Sequence, residues 1–272
     1  MKQFLVFLSV FALSAVTSES TAGPEAVTQA SGAGSVTLIV LMDITASQLT
    51  CDVKLLPEPR VITAGRGLPR TSEVRGLMSG WGRFAIDGFQ TGDRVMVGSL
   101  GRHLRLSGRF TSDKREINDD WNALFDVPPV EGLGPSQIWD GVNDAIEPLA
   151  REPRPRAIVL ITDGMASGNV HSQKEVAVKA AEASVSVSVM ALEPMLPTYP
   201  LTTMASHGID PAQALWTLAD TTGGVFELVR GEVGDPYARC FTRNPAPVFR
   251  RTLDRLHQAY ERGNFRLVTK ER

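Results

Sequence analysis

The chain has 272 residues, of which 43% are hydrophobic and 21% charged, and its formal net charge is −2 at pH 7. This composition is typical of a globular protein that can bury one sizeable core. The small net charge provides no electrostatic basis for binding nucleic acid or an anionic membrane surface, so we expect neither of these partners.

The N-terminus has the pattern of a secretory signal peptide. Lys2 precedes an apolar stretch over 4–16, and small and hydroxylated residues follow it. The stretch is short for a membrane span, and no later segment approaches the roughly 20 apolar residues that a span requires. We therefore expect a signal peptide over 1–22, a flexible linker over 23–34, and a mature protein that is exported, either periplasmic or secreted.

From residue 35 onward, strand patterns alternate with helix patterns. This alternation indicates a mostly parallel sheet with helices on both faces, and so an α/β fold of three layers with a doubly wound, Rossmann-like sheet. We expect one such domain over 35–230, and a C-terminal helix and tail over 231–272 that pack on it. Strands are predicted at 35–42, 93–100, 156–162, 185–191 and 225–229, with a short antiparallel edge strand at 103–110. Helices are predicted at 69–87, 114–125, 136–150, 171–184, 210–221 and 245–261.

Several single residues lead to more local predictions. Ser136 is a plausible N-cap for the helix that follows it, and Asp210 with Pro211 is a second helix start. The four histidines are scattered without metal-ligand spacing and are expected at surface or helix-end positions. Cys51 and Cys240 are the two cysteines, and the sequence leaves open whether they pair or stay as separate thiols.

Oxygen-bearing side chains follow two of the predicted strands. Asp43, Thr45 and Ser47 come directly after the first strand, and Asp163 follows the strand at 156–162. In an open doubly wound sheet, ligands bind beyond the carboxyl ends of the strands, where the strand order reverses. If these two strands are neighbours at that reversal, their ends face one crevice, and the loop before the helix at 136–150 brings Ser136 to the same rim.

Two carboxylates and three hydroxyls form a set of hard oxygen ligands. Such ligands suit Mg²⁺, or Ca²⁺ and Mn²⁺, better than zinc. They leave a divalent ion short of negative charge, so a carboxylate of a partner could complete its shell. The alternative is that Asp43 and Ser47 only cap the strand end and hydrogen-bond the loop, without a metal.

The segments that carry these residues resemble a known family. The sequences "DITAS" at 43–47, "GPSQIWDGV" at 134–142 and "AIVLITDGMAS" at 157–167 are similar to the three parts of the metal-ion-dependent adhesion site of von Willebrand factor type A domains. The resemblance covers about residues 35 to 230, and "LADTTGGVFELV" at 218–229 is similar to the closing helix and strand of the family.

The resemblance implies a role for each residue of the site. It implies that Thr45 and Ser47 coordinate the ion directly, that Ser136 replaces the family threonine, and that Asp43 and Asp163 act mainly through water. Thr45 also departs from the family pattern, which has a serine there, but both substitutes keep a hydroxyl. The stretch 48–66 is longer than the corresponding family turn and is expected to form a loop over the metal rim.

The sequence therefore favours an exported, non-enzymatic protein-binding module for adhesion or complex assembly, with a divalent ion that meets an acidic side chain of another protein. One alternative is a metal-free structural interaction domain. The other is a Mg²⁺-dependent phosphoryl-transfer enzyme of the haloacid-dehalogenase type with Asp43 as nucleophile. Such enzymes have a second aspartate two residues later, where this chain has Thr45.

Overall fold

A computed structural model describes residues 34–44, 86–125, 135–192, 211–229 and 246–262 of the chain. Within these ranges, six strands form one sheet in the order β3-β2-β1-β4-β5-β6. Neighbouring strands are parallel, except that β2 and β3 are antiparallel. The strands are β1 (Thr37–Asp43), β2 (Arg94–Leu100), β3 (Leu104–Leu106), β4 (Arg156–Thr162), β5 (Val185–Leu192) and β6 (Phe226–Val229).

Five helices with described bounds accompany the sheet, and residues 86–88 are helical as well. The five helices are α1 (Lys114–Phe125), α2 (Ile138–Ala150), α3 (Gln173–Glu182), α4 (Pro211–Thr222) and α5 (Ala246–Glu261). The α/β fold class, with a mostly parallel sheet and one antiparallel edge strand, is thereby confirmed. The strand order reverses between β1 and β4, which is the condition for a crevice at their carboxyl ends.

The sheet is buried on both faces because apolar residues occupy both sides of its central strands. Along β1, Leu38, Val40 and Met42 join one apolar cluster, to which α1 and α5 also contribute. Ile39 and Leu41 join a second cluster with α2, α3 and α4 on the opposite face. Side chains alternate between the faces of a strand with a period of two, so a continuous apolar run supplies two cores. The result is the three-layer arrangement that the sequence predicted.

The starts of two helices differ in how well the sequence predicted them. The prediction that Ser136 is the N-cap of α2 is wrong, because the helix begins at Ile138, Gln137 stands at the N-cap position, and the Gln137 side chain makes no capping hydrogen bond. Helix α4 does begin at Pro211 and is followed by Gly223, whose φ of +71° is the left-handed conformation that ends helices.

The prediction of a surface or helix-end position is wrong for His257. This side chain is only 2% exposed, because α5 packs on the sheet and carries His257 on its buried side. His257 Nε2 lies 3.0 Å from Oδ1 of Asp93, which is equally buried and directly precedes β2. The buried pair ties the C-terminal helix to the amino end of the sheet.

Several predictions concern residues outside the described ranges. These are the signal peptide, most of the linker, the helix at 69–87 up to residue 85, Asp210, both cysteines and the loop at 48–66. Within the described ranges, no helix is both long enough and apolar enough to cross a bilayer.

Candidate functional site

The candidate site is centred on Asp43, the last residue of β1. Its side chain is fully buried. Asp43 is two residues beyond Leu41 and four beyond Ile39, so the alternation of the strand points it to the face covered by α2. The sequence places the carboxylate at the carboxyl end of a central strand, and the two-residue period of the strand determines on which face of the sheet the carboxylate lies.

Thr162 approaches Asp43 from the neighbouring strand. The register of β1 against β4 pairs Met42 with Ile161, which brings the next residue of each strand side by side. The Thr162 hydroxyl donates a hydrogen bond of 2.6 Å to Oδ2 of Asp43 and accepts one of 3.0 Å from the Gly164 N–H. Thr162 therefore supports the carboxylate of Asp43 and the turn that follows β4.

Ser136 reaches Asp43 from the segment before α2. Its hydroxyl donates to the same Oδ2 oxygen at 3.4 Å, and the residue is only 5% exposed. Its main-chain N–H donates to Oγ of Ser167 at 3.1 Å, and its carbonyl accepts from the Ser167 N–H at 2.8 Å. Two hydroxyls from different elements thus converge on one carboxylate oxygen.

Asp163 lies at the same edge of the sheet, directly after Thr162. It is buried, and its Oδ1 accepts a hydrogen bond of 3.0 Å from the Met165 N–H. The structure thus places Asp43, Ser136 and Asp163 at the carboxyl ends of the two strands between which the order reverses. Thr45 and Ser47 lie outside the described residues.

Thr162 is not among the site residues that the sequence motifs predict. The signal was available, since Thr162 stands immediately before Asp163 and is two and four residues beyond Leu160 and Ile158, which belong to the α2 side of the sheet. The period of a strand therefore assigns Thr162 to the face that Asp43 occupies. What the sequence lacked was the register of β1 against β4, which makes the two side chains neighbours.

Replacing Thr162 by valine tests its support of Asp43. Thr162→Val keeps the branched shape but removes the donor to a buried carboxylate, so we expect it to lower the free energy of unfolding by about 2 kcal/mol. Denaturant unfolding in EDTA measures this loss. Thr162→Ser keeps the hydroxyl and should lose clearly less; a loss in Thr162→Ser with none in Thr162→Val would show that the methyl group, and not the hydrogen bond, matters.

The donor set decides whether a metal ion fits this site. The described residues contain no group of three or more His, Cys, Asp and Glu side chains that could hold a metal ion, so an ion here depends on hydroxyl ligands. A hydroxyl that donates its proton keeps two lone pairs, which accept hydrogen bonds or coordinate a cation. Ser136 beside Asp43, with Asp163 at the same edge, is a hard-oxygen set of the kind that Mg²⁺ prefers. The residues present therefore fit a divalent ion.

Comparisons with known proteins bear on the fold. No family model matches the chain, and no curated protein matches it. Among solved structures, a von Willebrand factor type A protein from Catenulispora acidiphila matches at a TM-score of 0.50 with 14% identity, over 80% of this chain and 42% of that one. Proximal thread matrix protein 1 from the mussel byssus also matches at 0.50 with 14% identity, over 81% of this chain and 47% of that one.

This chain therefore spans less than half the length of either of those proteins. Identities this low give information about the fold alone. The strand order, the single antiparallel edge strand and these two structural matches agree with one another. The described residues have a von Willebrand factor type A-like fold.

Proposed function

We propose that the chain is an exported, non-enzymatic protein-binding module that acts in adhesion or complex assembly through a divalent ion. The observation that carries the proposal is the convergence of the Ser136 and Thr162 hydroxyls on the Asp43 carboxylate at the point where the strand order reverses. The ion is Mg²⁺, with Ca²⁺ and Mn²⁺ as its close alternatives. The proposed site residues are Asp43, Thr45, Ser47, Ser136 and Asp163.

The residues have different roles in this proposal. Thr45, Ser47 and Ser136 coordinate the ion through their hydroxyl oxygens, while Asp43 and Asp163 act mainly through water, as the resemblance to the adhesion-site motif implies. Neutral hydroxyl ligands leave much of the ion's positive charge uncompensated, so an acidic side chain of a partner protein completes the shell. Export rests on the N-terminal sequence pattern, and the binding domain is proposed to span 35–230.

Thermal unfolding tests the metal site without knowledge of the partner. The full chain is unfolded in EDTA and in Mg²⁺, Ca²⁺ or Mn²⁺. An ion that binds only the folded state, at about 100 times its dissociation constant, should stabilise the fold by about 2.7 kcal/mol. We expect this stabilisation to be lost in Ser136→Ala and in Asp163→Ala.

Ser186→Ala is the matched control. Ser186 is also a buried serine, but it lies near the amino end of β5, whereas the candidate site lies at the carboxyl ends of the strands. Its hydroxyl contacts the Tyr260 hydroxyl. This variant should unfold at a lower temperature yet keep the full shift on adding the ion. If millimolar ions do not shift the unfolding of the wild type, the metal-dependent function is refuted, and a metal-free interaction domain takes its place.

A further inference from the structure

The loop after β4 is hydrogen-bonded to the start of α2 through the two segments 136–140 and 167–171, which we name the clasp. The main chain of Ser136 makes two hydrogen bonds to Ser167, one through its N–H and one through its carbonyl. The carbonyl also accepts a hydrogen bond of 3.3 Å from Nδ2 of Asn169. The main chain of Ser136 is thus held on its N–H side and on its C=O side by the same loop. The loop, and not a helix cap, sets where Ser136 stands.

Asn169 also supplies the cap that α2 does not find in its own N-cap residue. Its Oδ1 accepts from the N–H of Trp139 at 2.8 Å and from the N–H of Asp140 at 3.3 Å. The first N–H groups of a helix have no partner within the helix, so a side chain that accepts from them fixes the helix start. One amide side chain therefore binds both Ser136, two residues before α2, and the first turn of α2.

Asp140 closes the clasp from the helix side. Its carboxylate accepts from the N–H groups of Val170 and His171, each at 2.8 Å, and its Oδ1 lies 2.8 Å from Nδ1 of His171. Burial alone raises the pKa of Asp140, but these hydrogen bonds outweigh it and hold that pKa below its usual range. The main chain directly after Asn169 is anchored in this way, which fixes the position from which the Asn169 side chain extends. The Val170 side chain itself is 86% exposed.

We propose that Asn169 is a positioning residue for the metal site, which sets the affinity for the divalent ion by holding Ser136 against Asp43. The inference rests on the proposed function. The Ser136 hydroxyl lies 3.4 Å from Asp43, near the long limit of a hydrogen bond, so a small displacement of Ser136 separates the two groups. Side chains that orient metal ligands without touching the metal typically contribute about 10–100-fold to metal affinity.

The test compares Asn169 with a second helix cap that holds only its own helix. Ser172 is the N-cap of α3 and forms a capping box with Glu175, and within the described residues its side-chain hydrogen bonds go to Glu175 and not to Ser136. We expect Asn169→Ala to weaken the binding of Mg²⁺ or Mn²⁺ by about 10–100-fold in calorimetric titrations of the full chain. Ser172→Ala should leave ion binding unchanged, although both variants lower the unfolding temperature in EDTA.

Two further measurements separate positioning from simple destabilisation. In a Ser136→Ala background, in which the ion-induced stabilisation is already expected to be lost, Asn169→Ala should change ion binding no further, because Asn169 acts through Ser136. In the ion-free protein, the amide hydrogen of Ser167 should exchange faster in Asn169→Ala but not in Ser172→Ala. Val170→Ala is the control within the same loop, since its exposed side chain can be removed while its N–H bond to Asp140 stays.

The outcomes distinguish this inference from the proposed function. If the wild type binds the ion and Asn169→Ala binds it equally well, the positioning role is refuted and the metal site stands. If the wild type binds no divalent ion, the proposed function fails, and the positioning role fails with it.

Discussion

Asp93→Asn is expected to lower the free energy of unfolding by about 3–5 kcal/mol, the usual effect of removing one partner from a buried ion pair. Asp93 is 2% exposed, and its carboxylate accepts from the N–H of Val36 at 3.0 Å, the N–H of Gln90 at 2.8 Å and Nε2 of His257 at 3.0 Å. The variant leaves His257 buried without a negative partner and replaces an acceptor oxygen by an NH₂ group.

His257 is expected to carry a proton on each ring nitrogen. Its Nδ1 lies 2.8 Å from the carbonyl oxygen of Leu253, which can only accept, and its Nε2 faces the Asp93 carboxylate, which already accepts from main-chain N–H groups. A ring that donates from both nitrogens is an imidazolium. The pair is therefore ionic.

Denaturant unfolding at slightly acidic pH measures this loss. Glu147→Gln is the control, because it removes an ion pair to Arg151 in which both side chains are largely exposed. Exposed pairs contribute little, so this variant should unfold like the wild type within error. An Asp93→Asn protein as stable as the control would contradict the assignment of an ion pair.

The same pair predicts how stability changes with pH. Burial lowers the pKa of His257, but the hydrogen bond and charge of Asp93, the Leu253 carbonyl and the charge of Asp254 raise it, and the net result is a pKa above the ordinary value of 6.5. The folded state then binds a proton more tightly than the unfolded state. The stabilisation of the folded state by protonated His257 is fully present below the ordinary histidine pKa. It is lost as the pH rises through the raised pKa of His257 in the folded protein.

Unfolding curves recorded from mildly acidic to mildly alkaline pH check this sign. The wild type should lose stability with rising pH, and His257→Gln should lack that part of the pH dependence. A wild type that gains stability over this interval relative to His257→Gln would show that the ring is neutral in the folded protein.

Gly224→Ala is expected to lower the free energy of unfolding by about 3 kcal/mol or more. A Cβ at this position would stand 2.1 Å from the carbonyl oxygen and 2.4 Å from the carbonyl carbon of Val187, in the backbone of β5. A flexible side chain could move aside, but β5 is paired with both β4 and β6. Overpacking a well-packed core costs about 1–3 kcal/mol and occasionally more, and a clash with a central strand belongs at the upper end.

Gly108→Ala is the matched control for this substitution. A Cβ at Gly108 would meet nothing within 4 Å. Replacing such a glycine reduces the conformational freedom of the unfolded chain, so the variant should be as stable as the wild type or slightly more stable. Thermal unfolding of both variants gives the comparison. Equal unfolding temperatures would mean that the turn after α4 can move away from β5.

The sequence by itself determined the strands and helices of the described ranges. The run "RAIVLIT" was predicted as a strand at 156–162 and forms β4 over Arg156–Thr162, because a continuous apolar run buried on both faces is a local signal. Helix α1 also has its predicted bounds, 114–125, because its apolar residues Ile117, Trp121 and Leu124 recur at helical spacing. The sequence also predicted that Asp43, Ser136 and Asp163 would lie at one edge of the sheet, since parallel strands with helical crossovers place their carboxyl ends together.

Only the tertiary structure decided which side chains meet. Thr162 lies 119 residues from Asp43, Asn169 lies 33 from Ser136, and His257 lies 164 from Asp93. Ser136 has the local pattern of a helix cap, yet its hydroxyl donates a hydrogen bond to Asp43, and the side chain of Asn169 caps α2 instead. His257 has no metal-ligand spacing, yet it forms a buried ion pair. Local patterns report the conformation of the backbone, whereas these contacts depend on strand register and helix packing, which bring distant residues together.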